Sequence, residues 1–255
     1  MTRELVSSDP PIAVAVLTSK SASRLRYLLE DDPNRGRKYE IVAGFSNDEE
    51  NETMDLFEEN DIPAAVNDIS TFYEERGADL SDMEVRAEFD RATMAFLSEY
   101  DPDLIVLAGY LHIVSQPMID EYWPRMINIH HADLTLSDDE GNPRYPGLTS
   151  VRDAVMNGEP RTHETTHILT GDVDAGPLLV RSPPFETNLS LIDYAREHDE
   201  EDVLKAYAFA HREWMIRAVG GRTLAKTIEL VADGHVKVSD GEVYLDHDQT
   251  VVQMH

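Results

Sequence analysis

The chain has 255 residues, 41% of them apolar, enough to bury the core of one large α/β domain or of a domain with a small appendage. Its 50 acidic residues outweigh 22 basic ones to give a formal net charge of −28, the wrong sign for a partner of nucleic-acid phosphates. The absence of cysteine excludes disulfide frameworks and thiolate metal sites, and no apolar run approaches the roughly 18–20 residues of a membrane span.

The acids are dispersed rather than blocked at one end, which excludes a partner-binding acidic tail, and apolar periodicity along the chain argues against disorder. Lysine occurs only at Lys20, Lys38, Lys205, Lys226 and Lys237. An acidic, lysine-poor surface suits a cytoplasm at very high salt, where self-repulsion is screened. The N-terminus lacks the apolar stretch of a signal peptide. The expectation is a cytoplasmic, halophilic protein that acts on small molecules, without nucleic-acid or membrane partners; a homodimer stays open.

In chain order, IAVAVL at 12–17 reads as a strand buried on both faces, followed by a helix over 21–30. A strand over 39–45 and a helix over 49–60 come next, then a short strand over 62–66 and a long amphipathic helix over 82–100. Asp101-Pro102-Asp103 ends that helix before LIVLA at 104–108, the clearest central strand. A helix over 116–122 leads to a strand over 126–130. The second half predicts a helix over 149–157, strands over 165–170 and 178–181, and one or two helices over 204–231 interrupted at Gly220-Gly221. A hairpin over 235–245 turns at Asp240-Gly241. This order predicts an α/β fold with a mainly parallel sheet flanked by helices and a C-terminal helical and hairpin appendage. Ligands of such sheets bind beyond the carboxyl ends of the strands.

Three stretches can carry chemistry. INIHHADLTL, at 127–136, sets Asn128, His130 and His131 at a strand end. If the strand continues through His131, alternation puts Asn128 and His130 on one face and His131 on the other, which disfavours a shared metal. The second stretch is Gly171-Asp172-Val173-Asp174-Ala175-Gly176-Pro177, either an ordinary turn or a loop whose carboxylate polarises a histidine on the preceding strand. The third, Thr18 to Arg24, is either a capping segment or an anion site at a helix start.

Together these stretches resemble the folate-dependent formyltransferases. The Asn128-Ile129-His130 strand end is similar to the family's N-I-H signature. Pro143-Arg144-Tyr145-Pro146-Gly147-Leu148 is similar to its P-x-Y-P-G-L segment, set here behind an acidic insertion over 137–142. Asp172 to Pro177 is similar to the D-x-D-G-G-P loop, Leu107-Ala108-Gly109-Tyr110 to L-A-G-F, and Phe45-Ser46-Asn47 to F-S-N. The resemblance covers about 12–184 and implies a formyltransferase-type Rossmann-like domain there. It leaves 1–11 as an N-terminal extension and 185–255 as a C-terminal extension of the same domain.

The resemblance implies 10-formyltetrahydrofolate as co-substrate, no metal, and Asn128, His130 and Asp174 as the catalytic set. Asn128 and a charged His130, held so by Asp174, would stabilise the oxyanion. Thr165 and His167 would orient them. On the folate side it implies Leu107, Gly109, Tyr110, Leu111, His112, Ile113, Gly171 and Asp172. Arg86 is either a partner of the folate's glutamate carboxylates or a surface arginine. On the acceptor side it implies Ser19, Lys20, Ser21, Ala22, Ser23, Arg24, Pro146, Gly147 and Glu213. The implied acceptor is a small amine, first glycinamide ribonucleotide in purine biosynthesis. The family's glycine-rich S-G-x-G-S-N-L loop is here Ser19-Lys20-Ser21-Ala22-Ser23-Arg24-Leu25, so phosphate contacts would come from Lys20 and Arg24 side chains. Its Q-x-x-E-H segment is matched only by Glu213. Three other readings stay open: a hydrolase using water, whose signature carries N-I-H-H as here; a sugar-amine formyltransferase; and a folate-binding homologue without turnover.

Overall fold

The computed structural model describes residues 2–245 and 252–254. The first half runs β1 (Arg3–Glu4), β2 (Ile12–Thr18), α1 (Ser23–Arg26, prolonged by a π-helical turn over Tyr27–Asp31), β3 (Tyr39–Ser46), α2 (Met54–Glu59), β4 (Ala64–Val66), α3 (Ile69–Glu74), α4 (Met83–Leu97), β5 (Leu104–Leu107), α5 (Gln116–Tyr122) and β6 (Met126–His130). The second runs α6 (Ser150–Asn157), β7 (Arg161–Thr162), β8 (Thr165–Ile168), β9 (Leu178–Arg181), β10 (Phe185–Glu186), α7 (Leu189–Glu197), α8 (Glu201–Met215), α9 (Gly221–Ala232), β11 (Val236–Ser239), β12 (Glu242–Leu245) and β13 (Val252–Gln253).

Eight strands form one sheet in the order β13-β9-β8-β6-β5-β2-β3-β4. The run from β6 to β4 is parallel, β8 is antiparallel to both β6 and β9, and β13 rejoins parallel to β9. The mainly parallel α/β sheet expected from the order of elements is thus the observed one. Alternation along the central strands explains why both faces are covered. Val14 and Val16 of β2 and Leu104 and Val106 of β5 join one core with Leu25 of α1 and Leu224 and Ile228 of α9. Ala15, Leu17, Ile105 and Leu107 join the other with Phe89 and Leu97 of α4 and Met118 of α5. The chain builds outward from β2 to β3 and β4, then returns to β5 on the other side, so a crevice opens beyond β2 and β5.

Several boundaries differ from the sequence reading. The helix expected from 49 begins at Met54, because the Asn51 side chain accepts from the Thr53 and Met54 N–H groups and holds a turn there. Helices α3 and α7 were not expected. Gly220-Gly221 does not break the helical run: the chain passes through a π turn over Ile216–Gly220 into α9. A Cβ on Gly221 would lie 2.3 Å from Tyr27 Cβ, so the glycine serves close packing against the turn after α1. The hairpin turns at Asp240-Gly241 as expected, both residues having positive φ. Strand β1 pairs with β11, tying the first residues to that hairpin; of the expected extension over 185–255, residues 246–251 and 255 lie outside those described. No helix among the described residues is long and apolar enough to cross a membrane.

Candidate active site

A cleft of about 550 Å³ lies at the carboxyl ends of β5 and β6. Its walls include Asn128, His130 and Asp174 together with Arg86, Leu107, Gly109, Tyr110, Leu111, His112, Ile113, Gly171 and Asp172. Ile127 and Ile129 of β6 face the core shared with α1 and α9, so alternation turns Asn128 and His130 to the cleft side. The antiparallel register of β6 and β8 then sets His167 directly across from Asn128 and Thr165 across from His130.

Asp174 sits at φ 54° on the loop between β8 and β9. That loop turns back over β8 so closely that a Cβ on Gly176 would lie 1.8 Å from the Ile168 carbonyl oxygen. Asp174 Oδ2 is 3.3 Å from His130 Nδ1 and accepts from the Gly147 N–H at 2.8 Å, while Oδ1 is 3.5 Å from His167 Nε2. Burial works to raise this carboxyl, but the His167 hydrogen bond, His130 and the Gly147 N–H outweigh it and leave it at about 2. Asp174 is therefore ionised at any physiological pH.

His130 is buried, and its Nε2–H donates to the Tyr145 carbonyl at 2.9 Å. Burial lowers its pKa, and the opposing pull of Asp174 and the Tyr145 carbonyl does not restore it. That direction runs against the expectation that Asp174 holds His130 charged: burial favours the neutral ring, whose Nδ1 faces an ionised carboxylate that would welcome a proton. His167 Nδ1–H donates to the Ile168 carbonyl at 3.0 Å, and its Nε2 lies between Asp174 Oδ1 at 3.5 Å and Asn128 Nδ2 at 3.3 Å. The ring thus sets the Asn128 amide, which lines the cleft, beside the Asp174 carboxylate. The Thr165 hydroxyl ties the turn after β6 by donating to the Ala132 carbonyl at 2.8 Å.

His131 departs from the alternation argument. Strand β6 ends at His130, the chain bends, and the His131 ring stacks beside that of His130 with centroids 6.3 Å apart. Both rings border the cleft, yet among the described residues no group of three or more His, Asp or Glu side chains is arranged to hold a metal. His131 instead belongs to a buried ionic network. Its Nδ1 is 2.9 Å from Glu164 Oε1, which also accepts from Arg24 Nη2 at 2.5 Å, and its Nε2 is 3.3 Å from Arg212 Nη2. Burial first, then the Arg24 charge, pushes His131 down to about 4, so the ring is neutral. Nδ1 sits between the Glu164 carboxylate, which accepts, and Arg24 Nη2, a donor 2.8 Å away, whereas Nε2 faces the Arg212 donor; a lone pair on Nε2 towards Arg212 therefore leaves Nδ1–H for Glu164.

Two acceptor-side expectations change accordingly. Arg24 is 3% exposed and balanced by Glu164; its Nη1 makes no hydrogen bond among the described residues and lies 3.3 Å from where a Cβ on Gly109 would be. Lys20 is exposed and pairs with Asp48 at 3.3 Å. Ser19 is buried, donating to Asn47 Oδ1 and accepting from the Leu111 N–H, and Ser21 lies 3.3 Å from Ser23. Ala22 is packed in the core, and Glu213 is held by Arg212 and Arg217. Gly147 lines the cleft, whereas Pro146 is exposed beside it. On the opposite wall Arg86 is not a surface residue: it is 3% exposed, lies 3.3 Å from Asp90 and donates to the Tyr110 hydroxyl at 3.1 Å. Burial and the Arg86 charge both lower the pKa of His112 there. Sequence reasoning missed Glu164 and Arg212. The one available signal is a glutamate directly preceding the TTHI strand, all four residues of which are buried.

A family model described as "Formyl transferase" matches residues 12–219. The chain is 26% identical over 161 residues to phosphoribosylglycinamide formyltransferase of Escherichia coli (strain K12), covering 63% of this chain and 64% of that protein. It is 27% identical over 205 residues to formyltetrahydrofolate deformylase of Bacillus subtilis (strain 168), covering 80% of this chain and 58% of that protein. The chain thus spans less than two thirds of the length of these two relatives. The solved structure of phosphoribosylglycinamide formyltransferase from Coxiella burnetii shares the fold, with a TM-score of 0.67 at 22% identity over 96% of this chain and all of that one.

Proposed function

Because the chain belongs to the formyl transferase family, we propose that it transfers the formyl group of 10-formyltetrahydrofolate to a small primary amine, glycinamide ribonucleotide being the acceptor of first choice. The observation that carries this reading is the convergence of Asn128, His130 and Asp174 in one cleft at the strand ends.

The geometry supports the following chemistry in the cleft. The amine nitrogen attacks the formyl carbon, and the carbonyl oxygen gains negative charge. An N–H of the Asn128 amide would donate to that oxygen, a contribution typically worth about 3 kcal/mol. As the C–N bond forms, the amine proton passes to the neutral His130, whose Nδ1 becomes a good proton site beside ionised Asp174. The same proton then goes to the folate nitrogen as its bond to the formyl carbon breaks, giving tetrahydrofolate and a formamide. The folate would lie along Leu107 to Ile113 and Gly171-Asp172, with Arg86 and Tyr110 as the inner wall. An anionic end of the acceptor would meet Arg24 Nη1 and Lys20.

A second reading, hydrolysis with water as acceptor, is favoured by the His130-His131 pair and by the likeness to a deformylase. Incubation with 10-formyltetrahydrofolate in high salt, with and without glycinamide ribonucleotide, separates the two. Donor loss that needs the amine supports transfer, loss without it supports hydrolysis, and no loss under either condition refutes both.

A further inference from the structure

Helix α8 is apolar on two sides. Leu204, Ala208, His211 and Met215 are buried against the molecule. Val203, Ala206, Phe209, Ala210 and Trp214 are exposed, and at roughly 100° per residue they fall within an arc of about 140° on the far side. Phe209 is 66% exposed and Trp214 69% exposed. Single exposed apolar residues are ordinary, but a contiguous stripe with two large aromatics marks an interaction surface, the more so on a chain of net charge −28.

The stripe has small residues beside large ones and opposite charges at its two ends. Asp202 and Lys205 flank its start, and Glu213 and Arg217 its finish. We propose that this face binds the same face of a second copy of the chain, with the two α8 helices antiparallel about a twofold axis passing between Phe209 and Ala210. In that register Phe209 meets the partner's Ala210 and Trp214 covers the partner's Ala206, so each large ring faces a small residue. Within one chain Lys205 pairs with Glu201 and Asp202, and Glu213 with Arg212 and Arg217; the antiparallel register sets these two clusters against each other with opposite charges facing, Asp202 opposite the partner's Arg217 and Lys205 opposite the partner's Glu213, each contact made twice by symmetry. A parallel arrangement would instead set Asp202 against its own copy and Arg217 against its own copy. Salt screens the mutual repulsion of two acidic chains while leaving the apolar contact intact, so the dimer belongs to high ionic strength.

Sedimentation velocity at protein concentrations on the order of 1–100 μM, in about 2 M KCl, tests the proposal. A dimer is expected, with Trp214 emission shifting to the blue as it forms. Trp214→Ser and Phe209→Ser are expected to weaken dimerisation at least about tenfold, and Ala210→Arg to abolish it; all three positions are exposed, and circular dichroism verifies that each variant is folded. At the lowest salt that keeps the fold, Asp202→Arg and Arg217→Asp are each expected to weaken the dimer, and the double reversal to restore it. A chain that stays monomeric throughout, a dimer indifferent to the Trp214 and Phe209 changes, or a double reversal no better than the singles would overturn the proposal.

Discussion

His131→Gln isolates the cost of burying a neutral histidine inside an ionic network. In the folded chain the His131 pKa is about 4, against 6.5 for a free histidine, and burial is the largest cause. Because the folded value is depressed, the unfolded chain takes up this proton first as pH falls. Stability is therefore whole above about pH 6.5, falls through the window from 6.5 to 4, and levels once both states are protonated. That shift is worth about 3 kcal/mol, or about 1.4 kcal/mol for each pH unit crossed. Glutamine keeps a donor for Glu164 and an acceptor for Arg212 but cannot titrate. Urea unfolding between pH 7.5 and 4 at constant high salt, for both proteins, gives the difference in slope directly. Other buried histidines act in the same window, but they act equally in both proteins and cancel. The variant is expected to lose about 3 kcal/mol less on acidification. Parallel pH profiles for the two proteins would refute the placement of His131 in this network.

Glu164→Gln leaves the Arg24 guanidinium buried without its counter-charge and is expected to destabilise the fold by about 3–5 kcal/mol, read by chemical denaturation; a change under about 1 kcal/mol would show that the pair is not desolvated. Gly176→Ala forces a Cβ into the Ile168 carbonyl, 1.8 Å away, and must displace the loop that carries Asp174. It is expected to lower both the melting temperature and the rate, and a variant with the parent's rate would contradict the placement of that loop. In the proposed reaction Asn128→Ala removes one oxyanion donor, and it is expected to lower kcat by about 10²–10³-fold with little change in donor affinity, read from steady-state kinetics and folate binding.

The parts of the fold legible in the sequence are those set by local rules. The strands Met126–His130 and Leu178–Arg181 and the helix Gln116–Tyr122 are apolar or periodic runs bounded by breakers, and they were read to the residue. Helix α3 is too short to show a period, and in α7 only Ile192 and Ala195 are buried among acids and polar residues, so neither announces itself. Gly220-Gly221 reads as a break because propensity is local, whereas the packing against Tyr27 that accepts those glycines is not. The same division holds in the cleft. Alternation along β6 brings Asn128 and His130 to one side. The pairing of Arg24 with Glu164, 140 residues apart, depends on how α1 sits against β8, and no spacing rule encodes it.

In the proposed reaction His130 handles the proton of formyl transfer while contributing little to holding the folate. The direct test is single-turnover loss of the formyl group in His130→Ala, with donor binding measured on the same sample. The rate is expected to fall by at least about 10³-fold while the donor Kd stays within a few-fold of the parent. A rate within tenfold of the parent would contradict the assignment.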